Sequence, residues 1–139
     1  SIEIYYPERL TGDLGSALAQ FSSLRRLAIF EPAFSNADWA YVFAGLHKLP
    51  ALEELEIDSN SLTDRAIRPL AGQSTLRKIH IGTGRLGTDS AETFASLPKL
   101  RELHIEPEAI DDGHERAEGV LPETQEFFRE ALPNVTLKF

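Results

Sequence analysis

Leu52-Glu53-Glu54-Leu55-Glu56-Ile57 is the stretch that decides the fold, because its pattern is repeated at three other places: Leu24-x-x-Leu27-x-Ile29, Leu76-x-x-Ile79-x-Ile81 and Leu100-x-x-Leu103-x-Ile105. Successive phrases begin 28, 24 and 24 residues apart. Self-similarity at that period means one strand and one returning segment, stacked again and again, since a single unit cannot bury its own apolar face. The first, fourth and sixth positions are aliphatic. The second, third and fifth are mostly charged: Arg25 and Arg26; Glu53, Glu54 and Glu56; Arg77, Lys78 and His80; Arg101, Glu102 and His104. Alternation with a period of two describes a strand with one face against a core and the other in water.

Between the phrases the apolar period changes to three and four. Leu14, Leu18 and Phe21; Trp39, Phe43 and Leu46; Leu62, Ala66 and Leu70; and Phe94 with Leu97 each mark one face of a helix. Asp89-x-x-Glu92 is a candidate capping box, in which each side chain satisfies a free backbone N–H at a helix start. Leu49-Pro50 and Leu97-Pro98 are candidate stops, because proline disfavours helical geometry in the residue before it. At the end, a helix carrying Phe127 and Ala131 leads into Leu132-x-x-Val135-x-Leu137, a sixth strand. At the beginning, Ile2 and Ile4 align with Leu27 and Ile29 while the preceding leucine is missing, so the sequence is expected to start inside a repeat.

The bulk properties narrow the function. With 139 residues, 42% of them hydrophobic, the chain is expected to be a single domain spanning 1–139 with a real core. A net charge of −8 argues against a nucleic-acid binder, whose sequence-independent affinity comes from Lys and Arg neutralising phosphates. An anionic membrane surface is disfavoured for the same reason. The absence of cysteine excludes disulfides, thiolate metal sites and a thiol nucleophile. No apolar run approaches the roughly 20 residues of a membrane span, and Ser1-Ile2-Glu3-Ile4 lacks the regions of a signal peptide. A cytoplasmic or nuclear location is the expectation.

Leu52-Glu-Glu-Leu-Glu-Ile-Asp-Ser-Asn60-Ser-Leu62 resembles the leucine-rich repeat consensus at every marked position, including the asparagine and final leucine. The helical crossovers, and Leu62-Thr63-Asp64 followed by Ala66, Ile67 and Leu70, are most similar to the subtype of ribonuclease inhibitor and the F-box substrate receptors. The resemblance implies an α/β solenoid, a horseshoe arc with about six parallel strands on the concave face and helices on the convex face. It departs from the family at the asparagine position, which is Pro32, Gly84 and Glu108 in the other phrases, so the family's ladder of turn-satisfying asparagines is expected to be broken. The resemblance admits two settings, substrate recognition for a ubiquitin ligase or a sensing segment of an immune-type receptor.

Three clusters suggest chemistry. Gly82-Thr83-Gly84-Arg85-Leu86-Gly87 is a G-x-G-x-x-G string between a strand and a helix, with Glu102 and Glu106 near the place of a ribose-binding acid. A dinucleotide-binding first strand is normally covered on both faces, whereas Arg77, Lys78 and His80 make one face of this strand polar. His80 and His104 occupy the same position of adjacent phrases, so their strands should hold them about 4.8 Å apart at the backbone, with Glu56 on the other side of His80. Such a trio could assemble a zinc site or a pH sensor. The plainer reading is a solvated polar ladder, and neither a metal nor a cofactor is assigned. Asp111-Asp112-Gly113-His114-Glu115 lies in an acidic insertion over 107–119 and lacks the alternating carboxylates of a calcium loop. It reads as a solvent-facing loop.

No constellation supplies a reaction, so the expectation is a noncatalytic protein-binding domain. Its recognition surface is the concave face, comprising Arg25, Arg26, Phe30, Glu53, Glu54, Glu56, Asp58, Arg77, Lys78, His80, Arg101, Glu102 and His104. Tyr5 and Phe30 share the seventh column and form a candidate aromatic anchor. Aligned charges mostly alternate in sign, which also suits a self-neutralised face. Six strands of five residues offer about 400 Å², half of the roughly 800 Å² a standard partner needs, so strand-exit loops or further repeats must contribute. Two other readings stand beside this one: a structural unit that dimerises through the edge strand Ile2 to Tyr6, and a dinucleotide-binding enzyme fragment using Gly82, Gly84 and Gly87.

Overall fold

A computed structural model describes residues 20–30, 34–59, 62–82, 86–106 and 122–139, together with the backbone of 2–5. The fold is α/β. Strands β1 (Ile2–Tyr5), β2 (Arg26–Phe30), β3 (Glu54–Asp58), β4 (Lys78–Gly82), β5 (Glu102–Glu106) and β6 (Thr136–Lys138) form one sheet in sequence order. Every neighbouring pair is parallel. Helices α1 (Asn36–Leu46), α2 (Asp64–Ile67), α3 (Thr88–Ala95) and α4 (Pro122–Ala131) lie in the intervals from β2 to β6, with a 3-10 turn, Arg68–Leu70, after α2.

Register follows directly from the repeated phrase. Leu27, Leu55, Ile79, Leu103 and Leu137 are successive partners across the sheet, and Ile29, Ile57, Ile81 and Ile105 form a second row. A slip of one residue would drive a charged row into the core, so the pairing is strongly specified. Both rows from β2 to β5 are buried, as are Leu24, Leu52, Leu76 and Leu100, which lie just ahead of their strands. Each such side chain contributes about 1.5 to 3 kcal/mol on leaving water. Leu137 on the short last strand, and Val135 just ahead of it, are only partly buried.

Helices occupy the side of the sheet that these aliphatic rows face, packing Trp39, Phe43, Ala66, Ile67, Phe94 and Phe128 into the same core. α1 begins with a complete capping box: the Asp38 N–H donates to Ser35 Oγ at 3.2 Å and the Ser35 N–H donates to Asp38 Oδ2 at 2.9 Å. The expected box at Asp89-x-x-Glu92 does not form, because α3 begins at Thr88 and Gly87 occupies the cap position. Its acceptor comes from the preceding unit instead. The Gly87 N–H donates to Asp64 Oδ1 at 2.8 Å, and the Ser90 hydroxyl donates to the same oxygen. A Cβ at Gly87 would sit 2.9 Å from Asp64 Oδ2, so a larger residue there would have to displace the capping carboxylate.

Asp64→Ala is therefore expected to cost about 1 to 2 kcal/mol, the range for losing a helix cap. Urea denaturation measures it, and Glu92→Ala serves as the control with an expected change below about 0.5 kcal/mol. A larger loss at Glu92 would mean that the local box does cap α3.

Three other expectations change. The stripe Leu62, Ala66 and Leu70 is buried as expected, but the helix tightens to a 3-10 turn at Arg68, since Pro69 has no N–H to continue an α-helix. In α4 the core side chain is Phe128, which packs against Phe94 and Phe139, while Phe127 is 43% exposed. Phe21 is exposed and outside any helix, and its expected companions Leu14 and Leu18 lie outside the described residues. The acidic insertion 107–119, Asn60, and the turn positions Pro32, Gly84 and Glu108 also lie outside them.

Successive units are stitched at the end of the helical layer. The His47 Nε2–H donates to the Pro69 carbonyl at 2.9 Å, a structural role consistent with reading His47 as an ordinary scaffold residue. The Gly72 N–H donates to Ser96 Oγ at 2.9 Å, and that hydroxyl donates to the Thr93 carbonyl at 2.5 Å. Gly72 has φ of 81°, a left-handed turn that glycine enters without steric cost.

Candidate functional site

With every aliphatic row turned toward the helices, alternate side chains of β2 to β6 stand on the other face. This face is polar, and no helix covers it among the described residues. Three columns of strand residues run across it at the spacing of neighbouring strands, about 4.8 Å, and a further column lies just ahead of the strands.

The first column, just before the strands, is Arg25, Glu53, Arg77 and Arg101. Their backbones are chained, the Glu53 N–H donating to the Arg25 carbonyl, Arg77 to Glu53 and Arg101 to Arg77, each at 2.8 Å. All four side chains are exposed, and none is in an ion pair among the described residues. The expected self-neutralisation does not occur in this column.

The second column, Arg26, Glu54, Lys78 and Glu102, is in register. Arg26 Nε lies 3.9 Å from Glu54, and Lys78 Nζ lies 3.6 Å from Glu102. Here the alternating signs do pair. Each of these half-exposed pairs contributes about 0 to 1 kcal/mol, so they orient side chains more than they stabilise the fold.

The third column is Ala28, Glu56, His80, His104 and Lys138. Arg26 also reaches diagonally to Glu56, Nη2 to Oε2 at 3.0 Å, and Ala28, the in-register partner of Glu56, is completely buried. The His80 and His104 rings stack with centroids 4.6 Å apart and planes within 8°. Glu56 Oε1 lies 3.7 Å from His80 Nδ1, so the expected neighbour is present.

The fourth column is Phe30, Asp58, Gly82 and Glu106. Phe30 is partly buried, and Tyr5 is its in-register partner, although the Tyr5 side chain lies outside the described residues. Glu106 was not among the expected face residues, yet its Oε1 lies 3.5 Å from Nε2 of both His80 and His104. The signal for it was readable: Glu106 follows His104 by two residues, which puts both on one strand face, and its in-register partner is Gly82. A Cβ there would sit 3.2 Å from the Asp58 carboxylate, so the glycine gives room to Asp58, its partner on the other side.

The face is shallow. One depression is lined by Arg26, Glu54, Glu56, Lys78 and His80, and the next by Lys78, His80, Glu102, His104, Thr136 and Lys138. Neither encloses a small molecule.

The glycine string is divided by the fold. Gly82 ends β4, Gly84 lies outside the described residues, and Gly87 caps α3. The Gly87 amide, a donor that a phosphate would need, already donates to the Asp64 carboxylate. A phosphate placed there would meet that negative charge. No family model matches the chain. No helix among the described residues is long and apolar enough to cross a membrane.

Proposed function

We propose that this chain is a leucine-rich repeat solenoid, with its strands on a concave side and helices on a convex side, that binds another protein without catalysing a reaction. The sequential parallel strands, the helices on one side and the fourfold phrase support the architecture. One observation carries the function: Arg25, Glu53, Arg77 and Arg101 stand in a row, exposed and without ion pairs among the described residues. A partner can engage them without first breaking pairs inside this chain. The row carries three positive charges against one negative charge, on a chain whose net charge is −8. Such local reversal of sign favours a partner presenting carboxylates, while the paired second column keeps the neighbouring surface near neutrality. Because a typical interface takes about 800 Å² from each side, the partner is expected to reach the strand-exit loops as well.

The test is affinity capture with mass spectrometry, comparing the chain with Arg77→Glu/Arg101→Glu and verifying folding by far-ultraviolet circular dichroism. Like charges placed opposite one another cost several kcal/mol, so recovery of the partner is expected to fall by at least about tenfold. An unchanged set of captured proteins would reject the arginine row as the contact.

A further inference from the structure

We propose that His80, His104 and Glu106 form a binding site for a divalent transition-metal ion of the zinc class on the open face of the sheet. The donor set is two imidazoles and one carboxylate, the composition of sites in which zinc keeps one coordination position free. The three donor atoms all lie within 4.8 Å of one another. Glu106 Oε1 is 3.5 Å from His80 Nε2 and 3.5 Å from His104 Nε2. A tetrahedral ion with bonds of about 2.0 to 2.1 Å separates its ligands by about 3.4 Å. Two of the three edges of a metal's ligand triangle are thus already near their required length.

An independent observation points the same way. His80 Nε2 is buried and has no hydrogen-bond partner. At 3.5 Å from Glu106 it is too far for a good N–H···O bond, which prefers about 2.9 to 3.0 Å, but at a suitable distance for both atoms to share an ion. The opposite side of the same ring faces Glu56 Oε1 at 3.7 Å, and Glu56 is held by Arg26 at 3.0 Å. At 3.7 Å the contact between Glu56 and His80 is not a hydrogen bond; a carboxylate in that place fixes the orientation of a ligating histidine and raises its basicity once ring rotation closes the gap. Arg26, Glu56, His80, Glu106 and His104 therefore make one ordered chain, in which each outer group is anchored to a strand.

The backbone brings the ligands together without a loop. His80 and His104 are in-register partners on adjacent strands, and Glu106 comes from the same strand as His104. Their stacked rings are nearly parallel, so the two Nε2 lone pairs do not yet converge. Metal binding splays the rings by side-chain rotation, for which the open face has room: the side chains of His80, His104 and Glu106 are 31%, 34% and 50% exposed. The fourth position then faces solvent and is left to water. Imidazole donors select zinc and its first-row neighbours over Mg²⁺ and Ca²⁺, which require oxygen cages.

Calorimetric titration of Zn²⁺ into the complete chain tests the site. One ion per chain is expected, with no heat from Mg²⁺ or Ca²⁺. His80→Gln, His104→Gln and Glu106→Gln should each weaken zinc binding by at least about 100-fold, since losing even an outer partner costs about 10- to 100-fold. His114→Gln, in the acidic insertion, should leave it unchanged. A second readout needs no variant: on adding Zn²⁺, the imidazole nitrogen resonances of His80 and His104 should shift together, with those of His47 and His114 unmoved. Absence of heat with wild type, retention of binding in the three ligand variants, or loss of binding in His114→Gln would each overturn the proposal. These outcomes are independent of partner capture, because only the ion is titrated.

Discussion

Trp39→Ala is expected to lower the free energy of unfolding by about 3 to 5 kcal/mol, the range for removing a buried aromatic side chain and leaving its cavity. Trp39 is completely buried on α1. Its indole meets the Phe34 ring edge-on with centroids 5.0 Å apart, and it stacks on Phe43 at 5.4 Å. Truncation removes apolar burial and both ring contacts at once, at the point where α1 packs over the sheet. The surrounding side chains come from neighbouring strands held by ladder hydrogen bonds, so collapse into the cavity is limited. Denaturation in urea followed by circular dichroism measures the loss. Fluorescence cannot serve, because Trp39 is the only tryptophan. Tyr41→Ala, at a position 58% exposed on the same helix, should change stability by less than about 0.5 kcal/mol. Equal losses at the two positions would reject the assigned inner face of α1.

Gln73→Leu is expected to cost about 1 to 3 kcal/mol although it replaces a polar side chain with an apolar one of similar size. Gln73 is buried between the 3-10 turn and β4. Its Oε1 accepts from the N–H groups of Thr75 and Leu76, each at 2.8 Å. Its Nε2 donates to the Leu46 carbonyl at 3.3 Å and to Thr75 Oγ1 at 2.6 Å. Leucine leaves the buried Leu76 N–H without its acceptor, while the Leu46 carbonyl keeps the Leu49 N–H at 3.2 Å, and a buried unsatisfied polar group costs about 1 to 3 kcal/mol. The amide also links the end of α1 to the turn before β4, so its loss should loosen the connection between units. Ser74→Ala, next to it and exposed, is the control. A Gln73→Leu variant as stable as wild type would show that water replaces the amide.

Gln73 also illustrates where sequence reasoning stops. The repeat resemblance directed attention to Asn60, which lies outside the described residues, as the residue that satisfies turn backbone; Gln73 satisfies backbone at another turn and belongs to no recurring pattern. The same limit applies at α3. Asp89-x-x-Glu92 has the right spacing for a local cap, yet the acceptor is Asp64, 23 residues before Gly87, and nothing local marks that pairing. Phe127 and Phe128 were equally apolar neighbours. A helix directs adjacent side chains about 100° apart, and the seat between Phe94 and Phe139 determined which one entered the core.

On the polar face, His80 beside His104 was legible because identical positions of adjacent phrases must become neighbours in a parallel sheet. The outcome of the charge columns was not. The second column, inside the strands, pairs its signs, while the first, just ahead of them, does not.

Strand positions, their register, the inward rows and the polar face were all written in a period of two repeated every 24 to 28 residues. That information is local, because exclusion of apolar groups from water acts on each phrase in the same way and stacking copies of it needs no further instruction. The Asp64 cap, the Gln73 clamp, the seat of Phe128 and the meeting of Glu106 with two imidazoles arose instead from distances between units. Hydrogen bonds and ligand geometries are sensitive to tenths of an ångström, and such distances exist only after the chain has folded.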